Sequence, residues 1–173
     1  MFSQADTAAM TSYLPGLPDL RRDNIALYTI PAFWLIAVTP RFLSMRLYER
    51  QTGAKFDPRA PRNFTVSVAH ASNLDQDTKG FILRGEAAML NSFENFGPFT
   101  AAVVAGSAAK LNPATLNGLT IVYLGSRVVY NWVYMNSTTI GMGYARSLSY
   151  LTGLGCLFAM FIQAGTKFKN AVL

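Results

Sequence analysis

The stretch Arg84-Gly-Glu-Ala-Ala-Met-Leu-Asn91-Ser-Phe-Glu94-Asn95-Phe-Gly-Pro98-Phe99 sets polar residues into a run that otherwise reads as apolar helix, and beyond Thr100 it continues into alanine and valine. On a helix, Arg84, Ala87 or Ala88, Asn91, Glu94 or Asn95 and Pro98 recur at intervals of three and four and fall along one stripe. A polar stripe therefore leads into an apolar helix. Ionisable groups inside a membrane span are costly, face a bundle interior or a wet cavity, and by default mark function; Glu94 is read that way. The competing reading makes Asn91, Glu94 and Asn95 interhelical hydrogen-bonding groups that serve packing, and the two readings are compatible.

Outward from that stretch, composition sets the class. Of 173 residues, 51% are hydrophobic and only 14% charged, and the mean hydropathy is positive at +0.22, which points to a polytopic membrane protein. Charge-free runs lie between Asp23 and Arg41, Glu94 and Lys110, Lys110 and Arg127, Arg127 and Arg146, and Arg146 and Lys167. Each is near the roughly 20 residues needed to cross hydrocarbon. The expected architecture is an all-α, four-transmembrane-helix bundle over 24–165, with helices at about 24–48, 78–109, 113–135 and 140–163. A mobile tail, 1–23, precedes it and a short tail, 166–173, follows.

The net charge of +6 does not indicate nucleic acid, because the cations lie between or outside the apolar runs rather than on one basic helix face. The single cysteine, Cys156, sits in the last apolar run, so no disulfide framework and no cysteine-based metal cluster is expected. No basic region precedes a cleavable apolar core at the N-terminus, so no signal peptide is read.

The first helix contains Pro31 and Pro40, and neighbouring helices are expected to satisfy the carbonyls these prolines free. The loop from Thr52 to Thr78, with the preceding Arg46 and Arg50, is the most basic, carrying Lys55, Arg59 and Arg62. The positive-inside rule places it on the cytosolic side and both termini opposite. His70, the only histidine, has no partner at ligand spacing and reads as solvated. Asp75, Asp77 and Thr78 form an N-cap cluster for the second helix, and Asn112-Pro113 starts the third.

Small residues recur every fourth position at Gly97, Ala101, Ala105 and Ala109, and again at Ala145, Ser149 and Gly153, which lets helices approach closely. On the third helix Tyr123, Arg127, Tyr130 and Tyr134 share a stripe. Tyr130, Trp132 and Tyr134 read equally as an interfacial aromatic belt or as ligand contacts. Arg127 either snorkels to the interface or forms an ion pair with Glu94.

The segment Ala88-Met-Leu-Asn91-Ser-Phe-Glu94-Asn95-Phe-Gly-Pro98-Phe99, supported by Val122-Tyr-Leu-Gly-Ser-Arg127-Val-Val-Tyr130, resembles the membrane-associated proteins in eicosanoid and glutathione metabolism. That family includes microsomal glutathione transferases, leukotriene C synthase and the non-catalytic lipoxygenase-activating protein. The resemblance covers about 24–165 and implies a homotrimer that binds glutathione between subunits and takes a lipophilic substrate from the surrounding membrane lipids. It implies an endoplasmic reticulum or mitochondrial outer membrane location.

By the same resemblance Asn91 and Glu94, with Asn95 and Arg84 nearby, bind the peptide part of glutathione and Tyr130 and Tyr134 line its site. Arg146 is the catalytic cation that holds the thiolate, the competent nucleophile, and no metal is involved. Two departures stand out. The family's arginine four residues before the motif asparagine is Ala87 here, with Glu86 expected to repel carboxylates and Arg84 one turn away as a partial substitute. The loop before Arg146 also differs in length from several members. The expectation is a glutathione transferase-like protein acting on lipophilic electrophiles; the alternative is a non-catalytic lipid-binding or partner-binding member.

Overall fold

A computed structural model of the chain describes residues 18–171. All regular structure within it is helical: α1 is Thr29–Thr52, α2 Phe64–His70, α3 Gln76–Glu94, α4 Phe96–Ala108, α5 Pro113–Asn136 and α6 Ile140–Ala171, with 3-10 turns at Ala26–Tyr28 and Pro61–Asn63. Two stretches, Ala26–Thr52 and Ile140–Ala171, are long and apolar enough to cross a membrane. The other two expected spans carry too many polar residues, or are too interrupted, to stand out in the same way.

Most of the expected N-terminal tail, 1–17, lies outside the described residues. Its last residues hydrogen-bond to α5. Asn117 of α5, 1% exposed, donates from Nδ2 to the carbonyls of Leu20 at 2.9 Å and Asp23 at 2.7 Å, and its Oδ1 accepts from the Ile25 N–H at 3.1 Å.

Pro40 lies inside α1 and has no N–H to offer the Ile36 carbonyl one turn earlier. Asn131 of α5 replaces it, donating from Nδ2 to Ile36 O at 3.1 Å, while its Oδ1 accepts from Ser92 Oγ of α3 at 3.1 Å. One amide therefore joins three helices at the proline. Close by, α3 crosses α1 at Gly85, where a Cβ would overlap Ser44 Oγ and stand 3.2 Å from the Pro40 carbonyl oxygen.

The expected second helix is two segments meeting at Asn95. Pro98 is the cause, since it cannot donate to the Glu94 carbonyl and its ring crowds that oxygen. The loop expected from Thr52 to Thr78 holds the short helix α2, whose Phe64 and Val68 are buried with Tyr48, Leu74 and Ile82. Asp75 caps α3 by accepting from the Thr78 N–H at 2.8 Å. Helix α4 ends in a paired 6→1 and 5→2 hydrogen-bond motif, Leu111 N–H to Gly106 O and Lys110 N–H to Ser107 O, with Lys110 at φ 51°. Asn112 then caps α5 through the Ala114 N–H at 2.9 Å.

Helix α6 runs on to Ala171, well past the expected end at 163, because Lys167 and Lys169 continue a helix readily and sit well at its negative end. Its most extensive packing is on α5. The central aromatic cluster has Phe99 stacked on Tyr123 at 4.2 Å, with Phe33 edge-on to both at 5.2 Å. Each small-residue ridge is part buried and part exposed, with Ala109 buried in the first and Ala145 exposed in the second. Ser149 and Gly153 are buried inside the chain, whereas Gly97 and Ala101 lie exposed on its outer surface.

Candidate functional site

The centre of the site is Arg127, an arginine that the helix-to-helix contact of α3, α5 and α6 encloses to 1% exposure. Its Nη1 is 3.4 Å from Asn91 Oδ1 and its Nη2 3.3 Å from Asn95 Oδ1. Asn95 is held for this by donating from Nδ2 to the Asn91 carbonyl at 2.8 Å. Three phenol rings surround the guanidinium: Tyr123 at 5.1 Å, Tyr130 at 5.5 Å and Tyr150 at 5.0 Å. Such faces attract a cation through the ring quadrupole.

The expected Glu94–Arg127 ion pair is not formed among the described residues. Successive helical residues point about 100° apart, so when Asn95 turns inward to Arg127, Glu94 turns outward, and it is exposed. Arg127 does not snorkel either. It lies in the chain's interior, held by neutral partners.

Beyond the phenols lies a cavity of about 390 Å³, lined by Tyr130, Tyr134, Arg146, Ser147, Tyr150 and Leu151. That size is within the usual span for small-molecule sites. The Arg146 guanidinium sits 4.6 Å from the Tyr134 ring centre and is half-buried. Tyr130 meets Tyr134 at 5.5 Å and Tyr150 at 6.0 Å, so Arg146, Tyr134, Tyr130, Tyr150 and Arg127 form one continuous chain of contacts. A half-buried guanidinium facing a polar cleft suits an anion, a thiolate included. Tyr150 and Ser147 were absent from the sequence reading. Their signal was the repeat Arg146, Tyr150, Gly153, which marks one helical face.

The remaining expected ligands fall elsewhere. Arg84 donates from Nε to the Met135 carbonyl at 2.9 Å, at the C-terminal turn of α5. Glu86 is buried and paired with Arg41 at 2.6 Å. Arg41 also donates to Pro61 O at 2.8 Å and lies over the rings of Phe56 and Phe64. The expected repulsion by Glu86 is thus offset by a partner the sequence did not reveal. His70 is exposed, its Nδ1 2.9 Å from Val66 O. Among the described residues no cluster of His, Cys, Asp or Glu could hold a metal ion.

A second, apolar cavity of about 370 Å³ opens between α1, α3 and α5, lined by Ile36, Leu43, Phe81, Val128 and Trp132.

The MAPEG family model matches residues 26–166, and the chain belongs to the MAPEG family. No curated protein and no solved structure matches it.

Proposed function

From its place in the MAPEG family, we propose that this protein is an integral membrane glutathione transferase-like enzyme that adds the glutathione sulfur to lipophilic electrophiles. The observation that carries this reading is the Arg146 cavity. A guanidinium and three tyrosines line one cleft, and the Arg146 side chain makes no hydrogen bond or ion pair among the described residues. On this reading Arg146 binds the sulfur as thiolate, and the thiol proton passes to water. The sulfur lone pair forms the new bond to electrophilic carbon as a leaving group departs or the product takes up a proton. The protein contributes no nucleophile of its own.

The full assembly in this proposal is a homotrimer of subunits that each cross the membrane four times. The exposed small residues Gly97 and Ala101 on α4 support close packing between subunits. Exposed Glu94 is then available to a glutathione held between neighbours, while Asn91 and Asn95 remain oriented by Arg127. Tyr130 and Tyr134 wall the sulfur end.

The apolar cavity between α1, α3 and α5 favours a second reading, a non-catalytic lipid-binding member, because Ala87 leaves no carboxylate clamp. Calorimetric titration with glutathione, followed by a conjugation assay with a halogenated nitroaromatic electrophile, separates the two. The enzyme reading expects binding and turnover, and folded trimer that shows neither overturns it.

A further inference from the structure

Arg127 is the one cation that is almost wholly buried among the described residues, and it forms no ion pair there. The groups that face it are Asn91 and Asn95 from α3, Tyr123 and Tyr130 from its own helix and Tyr150 from α6. Cys156 of α6 lies in the same core as Tyr123. None of these carries a carboxylate. Among the described residues, the Nε of Arg127 and the Tyr123 hydroxyl have no hydrogen-bond partner within reach. A buried charge left in this condition is costly unless something supplies the opposite sign.

The fold nevertheless makes room for it. Gly153 of α6 faces the guanidinium, and a Cβ there would stand 3.3 Å from Nη2, 3.4 Å from Nε and 2.8 Å from Ser126 Oγ. Tyr130 and Tyr150 touch both compartments, since each ring lies against Arg127 and each lines the Arg146 cavity. Two cations therefore converge on one cavity, Arg146 at its wall and Arg127 behind a layer of phenol. Away from bulk water, attraction between separated charges falls only with the first power of distance and is little screened by salt.

Resting on the glutathione reading above, we propose that Arg127 is a positioning residue for the bound thiolate, an uncompensated charge behind Tyr130 and Tyr150 that holds the anion in place while Arg146 makes the contact. The anion supplies the sign that Arg127 lacks, and the site is thereby biased toward the thiolate over the neutral thiol.

The test follows the ultraviolet band of bound glutathione thiolate across pH in the assembled protein. Arg127→Gln raises the bound thiol pKa by about one unit, a tenfold fall in the thiolate-to-thiol ratio at a given pH. Arg127→Lys, which keeps the charge, recovers most of that shift. A purely structural arginine would move both variants alike. Equal thiol pKa in wild type and Arg127→Gln, or equal shifts in the two variants, overturns the proposal. If Arg127→Gln does not assemble, Arg127→Met decides, because it removes the charge while leaving a long side chain that needs no hydrogen-bond partner. A raised thiol pKa then supports the proposal and an unchanged one overturns it. Wild type that binds no glutathione overturns both this inference and the proposed function, whereas wild type that forms a thiolate insensitive to Arg127 overturns this inference alone.

Discussion

Asn95 Oδ1 lies 3.3 Å from Arg127 Nη2, while Glu94, its neighbour in sequence, faces outward. The pairing of a buried cation with a neutral amide rather than with the adjacent carboxylate separates a structural role for Asn95 from an exposed position for Glu94. Removing a hydrogen-bond partner of a buried charge costs about 1.5 to 3 kcal/mol. Asn95→Ala is therefore expected to lower unfolding stability in detergent by that amount. Glu94→Gln is expected to stay within about 0.5 kcal/mol of wild type. Equal losses in denaturant titration would show that Glu94 has a buried partner after all.

The Arg41–Glu86 pair leads to a second expectation. Its side chains are 19% and 7% exposed at a separation of 2.6 Å, and removing one member of such a pair strands the other. Glu86→Gln is expected to destabilise by about 3 to 5 kcal/mol, and Arg41→Met/Glu86→Leu by considerably less, since apolar replacement of both partners can be near neutral. A double-mutant cycle on unfolding measures the difference.

The start of α3 supplies a pH dependence. The Thr78 N–H, and then its hydroxyl, hold the Asp75 carboxyl below the usual carboxylate range. A depressed folded-state pKa gives stability that is present above the unfolded value, about 3.9, and is lost as pH falls through the folded one. Asp75→Asn keeps a capping oxygen and is expected to flatten that acid limb of the stability profile while changing little near neutrality. An unaltered acid limb would place its origin in other carboxylates.

Ala87 tests the missing clamp. A charge-assisted contact of about 1.5 kcal/mol corresponds to roughly tenfold in affinity. Ala87→Arg, with Glu86 left in its pair with Arg41, is expected to tighten glutathione binding by about that factor in calorimetry. An affinity no better than wild type would mean that this face of α3 does not meet the peptide.

Much of this organisation can be read from residue order, and the exceptions have physical reasons. Charge positions and caps mark helices because they act locally: Asp75 and Asn112 each bond within three residues. The freed carbonyl at Pro40 announces that a donor is needed without saying that Asn131, far along the chain, provides it. The Asn91–Glu94–Asn95 stripe leaves open which of two adjacent residues faces inward, because both satisfy a spacing of three or four. Partners distant in sequence decided it, as they decided Arg84 and Glu86. Helix α2 hides in a polar loop because a two-turn helix buries only Phe64 and Val68, while Val66 between them is exposed and blurs the period. Tyr150 escaped notice because one ring on an apolar helix reads as core until Arg146, one turn earlier, is seen against the same cavity.

The proposed function rests on the Arg146 cavity stabilising a glutathione thiolate. Its most direct test is the ultraviolet difference spectrum of assembled protein titrated with glutathione near neutral pH, in wild type and Arg146→Ala. The account predicts a saturable thiolate band in wild type and, with glutathione binding partly retained, its loss in Arg146→Ala. A wild-type complex that binds glutathione wholly as thiol, or an undiminished band in Arg146→Ala, would contradict it.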